Sequence, residues 1–336
     1  MGNDRTLAVA AILFLTGCAG PRDEAVGEAA AAIQGGEPDG RDAAVVGVAL
    51  LNEDGHIHQT CSGTLIAPNL VLTAQHCVAE TNPFVNCGSS EFGPVTTPDR
   101  IRVTTSASMW SHETHWLHAA AVLSPPGTRR VCGHDVALVV LAACVDRSRA
   151  APLPPLLDAS PQREEPYAAI GYGITSDGDD DAGLRRRRDA LRVVCVGGSC
   201  SSGQVAEDEW RGDHGICSGD SGGPAIDGRG FVIGVTSRGP SGCEAPIYGA
   251  LPGHAPWLRA VARRAALDGD YADLPWASDD SDESRITDWP DSPAPSAAAS
   301  CATGRPVPGP RSGGILAALA LLAARRARGR GVRSRG

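Results

Sequence analysis

The chain has 336 residues, 42% of them hydrophobic, enough for a buried core in one large domain or two moderate ones. All 30 basic residues are arginine, which excludes chemistry that needs a lysine ε-amine: a Schiff base, a GK[ST] phosphate loop, a VAIK strand or a Ser-x-x-Lys acylase site. The net charge is −9, and residues 301–336 hold eight arginines and no acid, so the first 300 residues carry −17 and argue against nucleic acid as a partner.

At the N-terminus, Leu7 to Leu15 is an unbroken apolar run of nine, too short for a mature span but suited to the core of a signal peptide. Leu15-Thr16-Gly17-Cys18 follows it and resembles a bacterial lipobox, which implies lipidation at Cys18; a plain signal peptide containing a cysteine is the alternative. Asp4 cancels Arg5 in the segment that ordinarily carries positive charge. Residues 1–18 are read as signal and lipobox, 19–32 as propeptide or linker, and 33–267 as the folded domain. The 11 cysteines, scattered without paired CxxC units, read as a disulfide framework made outside the cytoplasm.

Short β-rich runs separated by turn residues make up the core: Ala44–Leu51, Thr64–Ile66, Asn69–Thr73, Ile101–Thr105, Val136–Leu141, Ala168–Ile170, Leu191–Val194 and Phe231–Thr236. Strands at such spacing without intervening amphipathic helices predict an all-β fold whose sheets close into barrels. The proline-rich stretch Ala150–Pro166 reads as an extended connector between two halves. Asp177–Asp181 followed by Arg185–Arg188 reads as a solvated loop with local charge pairing. One helix is expected over Pro256–Leu267, with Trp257, Val261 and Leu267 near one face and proline in the first turn.

Beyond it, Asp268–Ser300 has nine acids and one arginine among prolines, serines and alanines, the composition of a solvated spacer. Residues 301–336 place Cys301 before an apolar stretch Ile315–Ala324 and then Arg325, Arg326, Arg328 and Arg330. That order resembles a myxobacterial-type C-terminal sorting tail, which implies surface display; a disordered basic tail is the alternative.

Three segments carry chemistry. Thr73-Ala74-Gln75-His76-Cys77 ends an apolar strand in a histidine, Gly133-His134-Asp135-Val136-Ala137-Leu138 runs an aspartate into a buried strand, and Gly219-Asp220-Ser221-Gly222-Gly223-Pro224 sets a serine among glycines. Amide hydrolysis needs a nucleophile, a base, an anion to orient the base, and donors for the oxyanion; these segments supply a candidate for each. By contrast, His112-Glu113-Thr114-His115, with His118 beyond, puts its histidines at i and i+3 where a zinc helix needs i and i+4, so no metal and no cofactor is expected.

In the order His, Asp, Ser, these motifs resemble the chymotrypsin/trypsin-like serine proteases over Ile33–Leu267. The resemblance extends to Gly171-Tyr172-Gly173, similar to that family's Gly-aromatic-Gly turn, and to Trp257-Leu258, similar to its C-terminal helix. It implies two six-stranded antiparallel β-barrels with a C-terminal helix and a cleft between the barrels. It also implies Ser221 as nucleophile, His76 as base, Asp135 as orienting anion, and the N–H groups of Gly219 and Ser221 as the oxyanion hole. Such an enzyme would act on protein or peptide substrates as an exported monomer, attached to a membrane through lipid or the C-terminal anchor, or secreted. A catalytically inactive binding module of the same fold is the alternative.

The resemblance further implies disulfides Cys61–Cys77 beside the histidine and Cys217–Cys243 across the specificity pocket; Cys87–Cys132 and Cys195–Cys200 are suggested by neighbourhood. With Cys18 and Cys301 set aside, nine cysteines remain, and Cys144 is the candidate for the unpaired one. Ile33-Gln34-Gly35-Gly36 resembles the start of mature family members, implying that cleavage after Ala32 frees an Ile33 amine to pair with Asp220. By the same resemblance the pocket floor lies six residues before Ser221, at Gly215, which offers no carboxylate for a basic substrate side chain, and Ile216 and Gly239 suggest an uncharged pocket. Ser237-Arg238-Gly239 resembles the substrate-pairing strand, with Arg238 in place of the usual tryptophan and a possible attraction for an acidic substrate residue.

Overall fold

The computed structural model describes residues 33, 35–127, 129–176, 178–201, 203–240, 243–272, 274–278, 286 and 301. The signal segment, Cys18, residues 19–32, most of the acidic spacer and the tail beyond residue 301 lie outside the described residues.

After a two-residue edge strand, β1 (Glu37–Pro38), six strands form the first barrel: β2 (Val45–Leu51), β3 (Ile57–Ala67), β4 (Leu70–Thr73), β5 (Ile101–Thr104), β6 (Leu117–Leu123) and β7 (Ala137–Leu141). They close in the order β2-β3-β4-β7-β6-β5, with Val48 opposite Cys61 on one side and Val103 on the other. The second barrel is built from β8 (Pro166–Gly171), β9 (Arg186–Val196), β10 (Glu209–Gly212), β11 (Pro224–Asp227), β12 (Val232–Arg238) and β13 (Ile247–Gly249). Its order is β9-β10-β13-β12-β11-β8, closed by β8 against β9, with β1 added outside β9. Closure removes the exposed edges that short apolar strands would otherwise present.

All eight expected strand runs lie in strands. Sequence reasoning missed the two-residue edge strand β1 and also β6, β10, β11 and β13; these last four are alanine-rich, short or carry a charged residue, and acquire their strand character from partners on both sides. The connector works as a seam: Leu153 N–H donates to Leu65 O at 2.9 Å, while Leu156 N–H donates to Val232 O at 2.9 Å and Val232 N–H to Pro154 O at 3.0 Å. Prolines suit this run because only alternate backbone groups are needed for pairing.

The helix α1 (Ala255–Gly269) is slightly longer than expected and buries Trp257, Leu258, Val261 and Ala265 in the core shared with the first barrel. Leu267, expected on the same face, is 69% exposed, because it lies about 120° around the helix from Val261. Asn69 Nδ2–H donates to Ala265 O at 3.1 Å, and Tyr271 Oη–H donates to Asn69 Oδ1 at 2.8 Å, so the helix end is tied to the β3–β4 turn. The second barrel has its own core, in which Trp210 stacks on Tyr248 with centroids 4.1 Å apart and Tyr167 meets both edge-on.

Three expectations need correction. The four arginines are not a solvated loop: Arg186–Arg188 begin β9, and Arg185 is 1% exposed. Its guanidinium finds Asp39 at 3.0 Å and the oxygens of Val45, Thr105 and Tyr172, which is how a cation can be buried. The acidic spacer does not begin cleanly at residue 268 either, since Asp268 and Gly269 complete α1, Ala277 is buried, and Tyr271, Leu274, Trp276 and Ile286 pack on the first core. Finally, Cys144 is paired, with Cys301 at a Cα separation of 5.5 Å. Cys301 N–H donates to Gly269 O at 2.9 Å, so the chain returns to the end of α1 and brings the cysteine grouped with the tail back to the domain.

Candidate active site

His76 sits in the single 3-10 turn Gln75–Cys77 that follows β4, braced by the Cys61–Cys77 disulfide with Cα atoms 6.1 Å apart. Asp135 lies just before β7 and is 1% exposed. Its carboxylate accepts the His76 backbone N–H at 2.9 Å, His76 Nδ1–H at 2.7 Å and Ser237 Oγ–H at 2.5 Å. Burial opposes its charge, yet the His76 contacts and the Ser237 hydroxyl outweigh this and hold the acid below the usual carboxylate range. Burial likewise opposes the charged imidazole of His76, and Asp135 more than compensates, so its pKa is raised above 6.5. The proton on Nδ1 leaves Nε2 as the basic nitrogen on the cleft side.

Ser221 follows in the loop before β11, where its carbonyl accepts Ser62 N–H at 2.7 Å from the first barrel. Ser62 is a positioning residue that sequence reasoning missed. Its hydroxyl donates to Gly219 O at 2.9 Å and accepts Tyr172 N–H at 2.9 Å, so one β3 side chain links the Ser221 loop to the Gly-Tyr-Gly turn. Its place beside Cys61 was the available signal. Gly219 adopts φ +97°, and a Cβ there would lie 2.8 Å from Gly173 Cα, so no other residue fits the turn. Among the described residues, the N–H groups of Gly219 and Ser221 donate to no protein acceptor. No hydrogen bond joins Ser221 Oγ to His76 among those residues either.

Asp220 is completely buried and accepts N–H bonds from Gly173 at 2.8 Å and Cys217 at 2.9 Å. Burial outweighs these donors and pushes its carboxyl up to about 7. A Cβ on Gly173 would come within 2.6 Å of Asp220 Cγ, so the glycine makes room for the acid. Ile33 is likewise fully buried, against Tyr167, Leu191 and Trp210 in the second core.

His76, Asp135 and Ser221 share a cleft of about 540 Å³ with Ile216, Ser237, Arg238 and Gly239. Residues 79–83 and Val85, from the segment after the histidine turn, line it as well. Gly215 does not line it: at φ +102° its Cβ position faces Arg188 and Leu191, whereas the next residue, Ile216, does line the cleft. A Cβ on Gly239 would lie 3.2 Å from the Glu244 carbonyl oxygen and 3.6 Å from Pro246 Cα, and Pro246 and the Cys217–Cys243 disulfide, with a Cα separation of 4.6 Å, also line the cleft.

Arg238 is not free to attract an acidic substrate residue. Glu209, fully buried on β10, accepts its Nη1–H at 2.7 Å and Nη2–H at 2.8 Å, and Gln204 O accepts Nη2–H at 2.7 Å. Sequence reasoning missed Glu209, for which Trp210 beside it was the only cue to burial. The decoy His112–His115 lies in an irregular segment before β6, and His118 is on β6. Cys61, His76 and Cys77 offer ligand-type atoms within 4.8 Å of one another, but both sulfurs are committed to a disulfide and present no thiolate.

The family model for trypsin matches residues 33–257, well over half of the chain. The chain belongs to the trypsin family. Bovine (Bos taurus) proproteinase E is 28% identical over 215 residues, covering 55% of this chain and 74% of the relative. Trypsin of Saccharopolyspora erythraea is 30% identical over 207 residues, covering 59% and 82%. Among solved structures, human heparin binding protein superposes with a TM-score of 0.52 at 18% identity, over 67% of this chain and 94% of that one, a likeness of fold. The trypsin family member described here is therefore a serine peptidase at the level of its family. No helix among the described residues is long and apolar enough to cross a membrane.

Proposed function

We propose that this trypsin family member is an active serine endopeptidase using Ser221, His76 and Asp135. The observation that carries the reading is the buried Asp135 carboxylate bonded to His76 Nδ1 at 2.7 Å, with Nε2 and the Ser221 hydroxyl sharing one cleft. Ser221 Oγ attacks the scissile carbonyl carbon as its proton passes to His76 Nε2, and the carbonyl oxygen becomes an anion held by the N–H groups of Gly219 and Ser221. Collapse breaks the C–N bond, and His76 returns the proton to the leaving amine. Water, deprotonated by the same nitrogen, then hydrolyses the acyl ester and regenerates Ser221. The Ser221–His76 hydrogen bond forms as substrate fills the cleft, as is common for such contacts in empty sites.

The uncharged lining at Ile216, Gly239 and Pro246 favours small or medium uncharged P1 side chains. Cleavage after Ala32 would free the Ile33 amine for Asp220, matching a buried acid that has no cation bonded to it among the described residues. Export, lipidation at Cys18 and display through the tail belong to the same reading and rest on the terminal sequence.

Intact mass after reaction with a fluorophosphonate, alongside Ser221→Ala, tests this. A single adduct on a chain beginning at Ile33, absent from the variant, is expected. A chain beginning at Ile33 that takes no adduct would overturn the reading in favour of a binding module.

A further inference from the structure

Resting on that reading of His76 as the base, we propose that the buried Glu209–Arg238 pair is an electrostatic positioning element that sets the pH range over which His76 accepts a proton. The connection is a continuous line of polar contacts. Glu209 on β10 holds both terminal nitrogens of Arg238, at 2.7 and 2.8 Å. Arg238 Nη1–H also reaches Ser237 Oγ at 3.2 Å, Ser237 Oγ–H donates to Asp135 Oδ2 at 2.5 Å, and that same oxygen accepts His76 Nδ1–H at 2.7 Å. The pair therefore points its positive end at the catalytic dyad and its negative end away from it.

Its surroundings keep this dipole in place. Glu209 is fully buried, with Oε1 also accepting Gly133 N–H at 2.7 Å and Oε2 accepting Ala206 N–H at 2.8 Å. Gly133 lies two residues before Asp135, so the carboxylate that anchors Arg238 also holds the backbone leading to the dyad. The Arg238 guanidinium, with its side chain 14% exposed, rests against the Cys87–Cys132 disulfide through Nη2 to Cys132 Sγ at 3.2 Å. With so much of the side chain buried, solvent screens it only in part, and charge acts further in such a setting than at a surface.

The other charged and titratable groups around the dyad are few. Glu80 opens onto the cleft from the segment after the histidine turn, and His134 and His254 lie behind Asp135, with His254 Nε2 bonded to Gly133 O at 3.0 Å. Of the residues lining the cleft, Arg238 is the one permanent cation. It opposes protonation of His76, while Asp135 favours it. Glu209 moderates Arg238, so the two side chains have opposite effects on the base although they form a single pair.

The test is the ring titration of His76, followed by NMR in the full exported chain carrying Ser221→Ala, with Arg238→Gln, Glu209→Gln and both together. Arg238→Gln leaves the Glu209 anion and should raise the titration midpoint by about one pH unit, whereas Glu209→Gln leaves an uncompensated cation and should lower it by about as much. The double substitution should fall between them. The acid limb of kcat/KM in the Ser221 enzyme should move the same way. A midpoint unchanged in Arg238→Gln, or single variants that shift in the same direction, would overturn the proposal. If Glu209→Gln does not fold, the double variant replaces it, and a midpoint in it equal to that of Arg238→Gln would be equally decisive against the role of Glu209. The NMR readout does not require turnover, so loss of the endopeptidase reading would show separately, as an intact titration in a protein without activity.

Discussion

Arg185 reaches Asp39 at 3.0 Å with both side chains only 2% exposed, and this contact joins the N-terminal segment to the seam between the barrels. The same guanidinium holds Val45 O in the first barrel and the Tyr172 hydroxyl in the second, and Tyr172 Oη–H donates onward to Ser106 O at 2.7 Å. The cleft depends on the two barrels staying in register, so this buried cation belongs to the scaffold of the site.

Arg185→Met should therefore destabilise the domain by about 3–5 kcal/mol, since it strands Asp39 inside the protein. Replacing Arg185 and Asp39 together by apolar residues should cost less than either alone. Urea unfolding of the three variants measures the difference directly.

Ser221→Ala and His76→Ala should each lower turnover by about 10⁶, and Asp135→Asn by about 10⁴, because the amide holds the ring in the wrong tautomer. Peptide hydrolysis by each variant, checked for native fold by circular dichroism, tests the division of roles. An Asp135→Asn enzyme as active as the parent would remove Asp135 from the mechanism.

In the proposed mechanism His76 acts as a neutral base, and its pKa is raised above 6.5, so kcat/KM should climb with pH through a midpoint above that value. Amide substrates differing only at P1 should show alanine, valine or leucine preferred over arginine, since Gly215 contributes no carboxylate and the adjacent Ile216 lines the cleft.

Asp220 gives a pH signature for activation. Its carboxyl is pushed up to about 7 from 3.8, so the uncleaved folded chain holds a proton that the unfolded chain has released. Stability of that chain should fall as pH rises from 3.8 to about 7 and then level off with respect to this group. In a chain beginning at Ile33, the protonated amine would stabilise the carboxylate, and this loss should be suppressed until the amine titrates near pH 8. Melting temperature against pH for the two forms should therefore separate as pH rises from 3.8 to about 7.

Cys301→Ser should leave Cys144 as a thiol open to alkylation under native conditions, whereas the parent should show neither cysteine labelled. The variant should retain both barrels, whose other four disulfides do not involve residue 301. Labelling of Cys144 in the parent would contradict the pairing.

The amino-acid sequence by itself determined the barrel class, most of the strands and the three segments bearing His76, Asp135 and Ser221, because strand alternation, turn glycines and a short catalytic motif are local patterns. It also placed Cys61–Cys77 and Cys217–Cys243, through the resemblance those motifs carried. The burial of Arg185 and Glu209, the return of Cys301 to Cys144, and the commitment of Arg238 to Glu209 were decided only in three dimensions. Each depends on a partner 29 to 157 residues away, and a charged side chain reads as solvated until the fold supplies the opposite charge and the hydrogen bonds that allow it to be buried. Pocket shape falls on the same side of the line. Gly215 could be found by counting back from Ser221, but the facing of its Cβ position toward Arg188 and the place of Pro246 in the cleft lining follow from how distant loops pack.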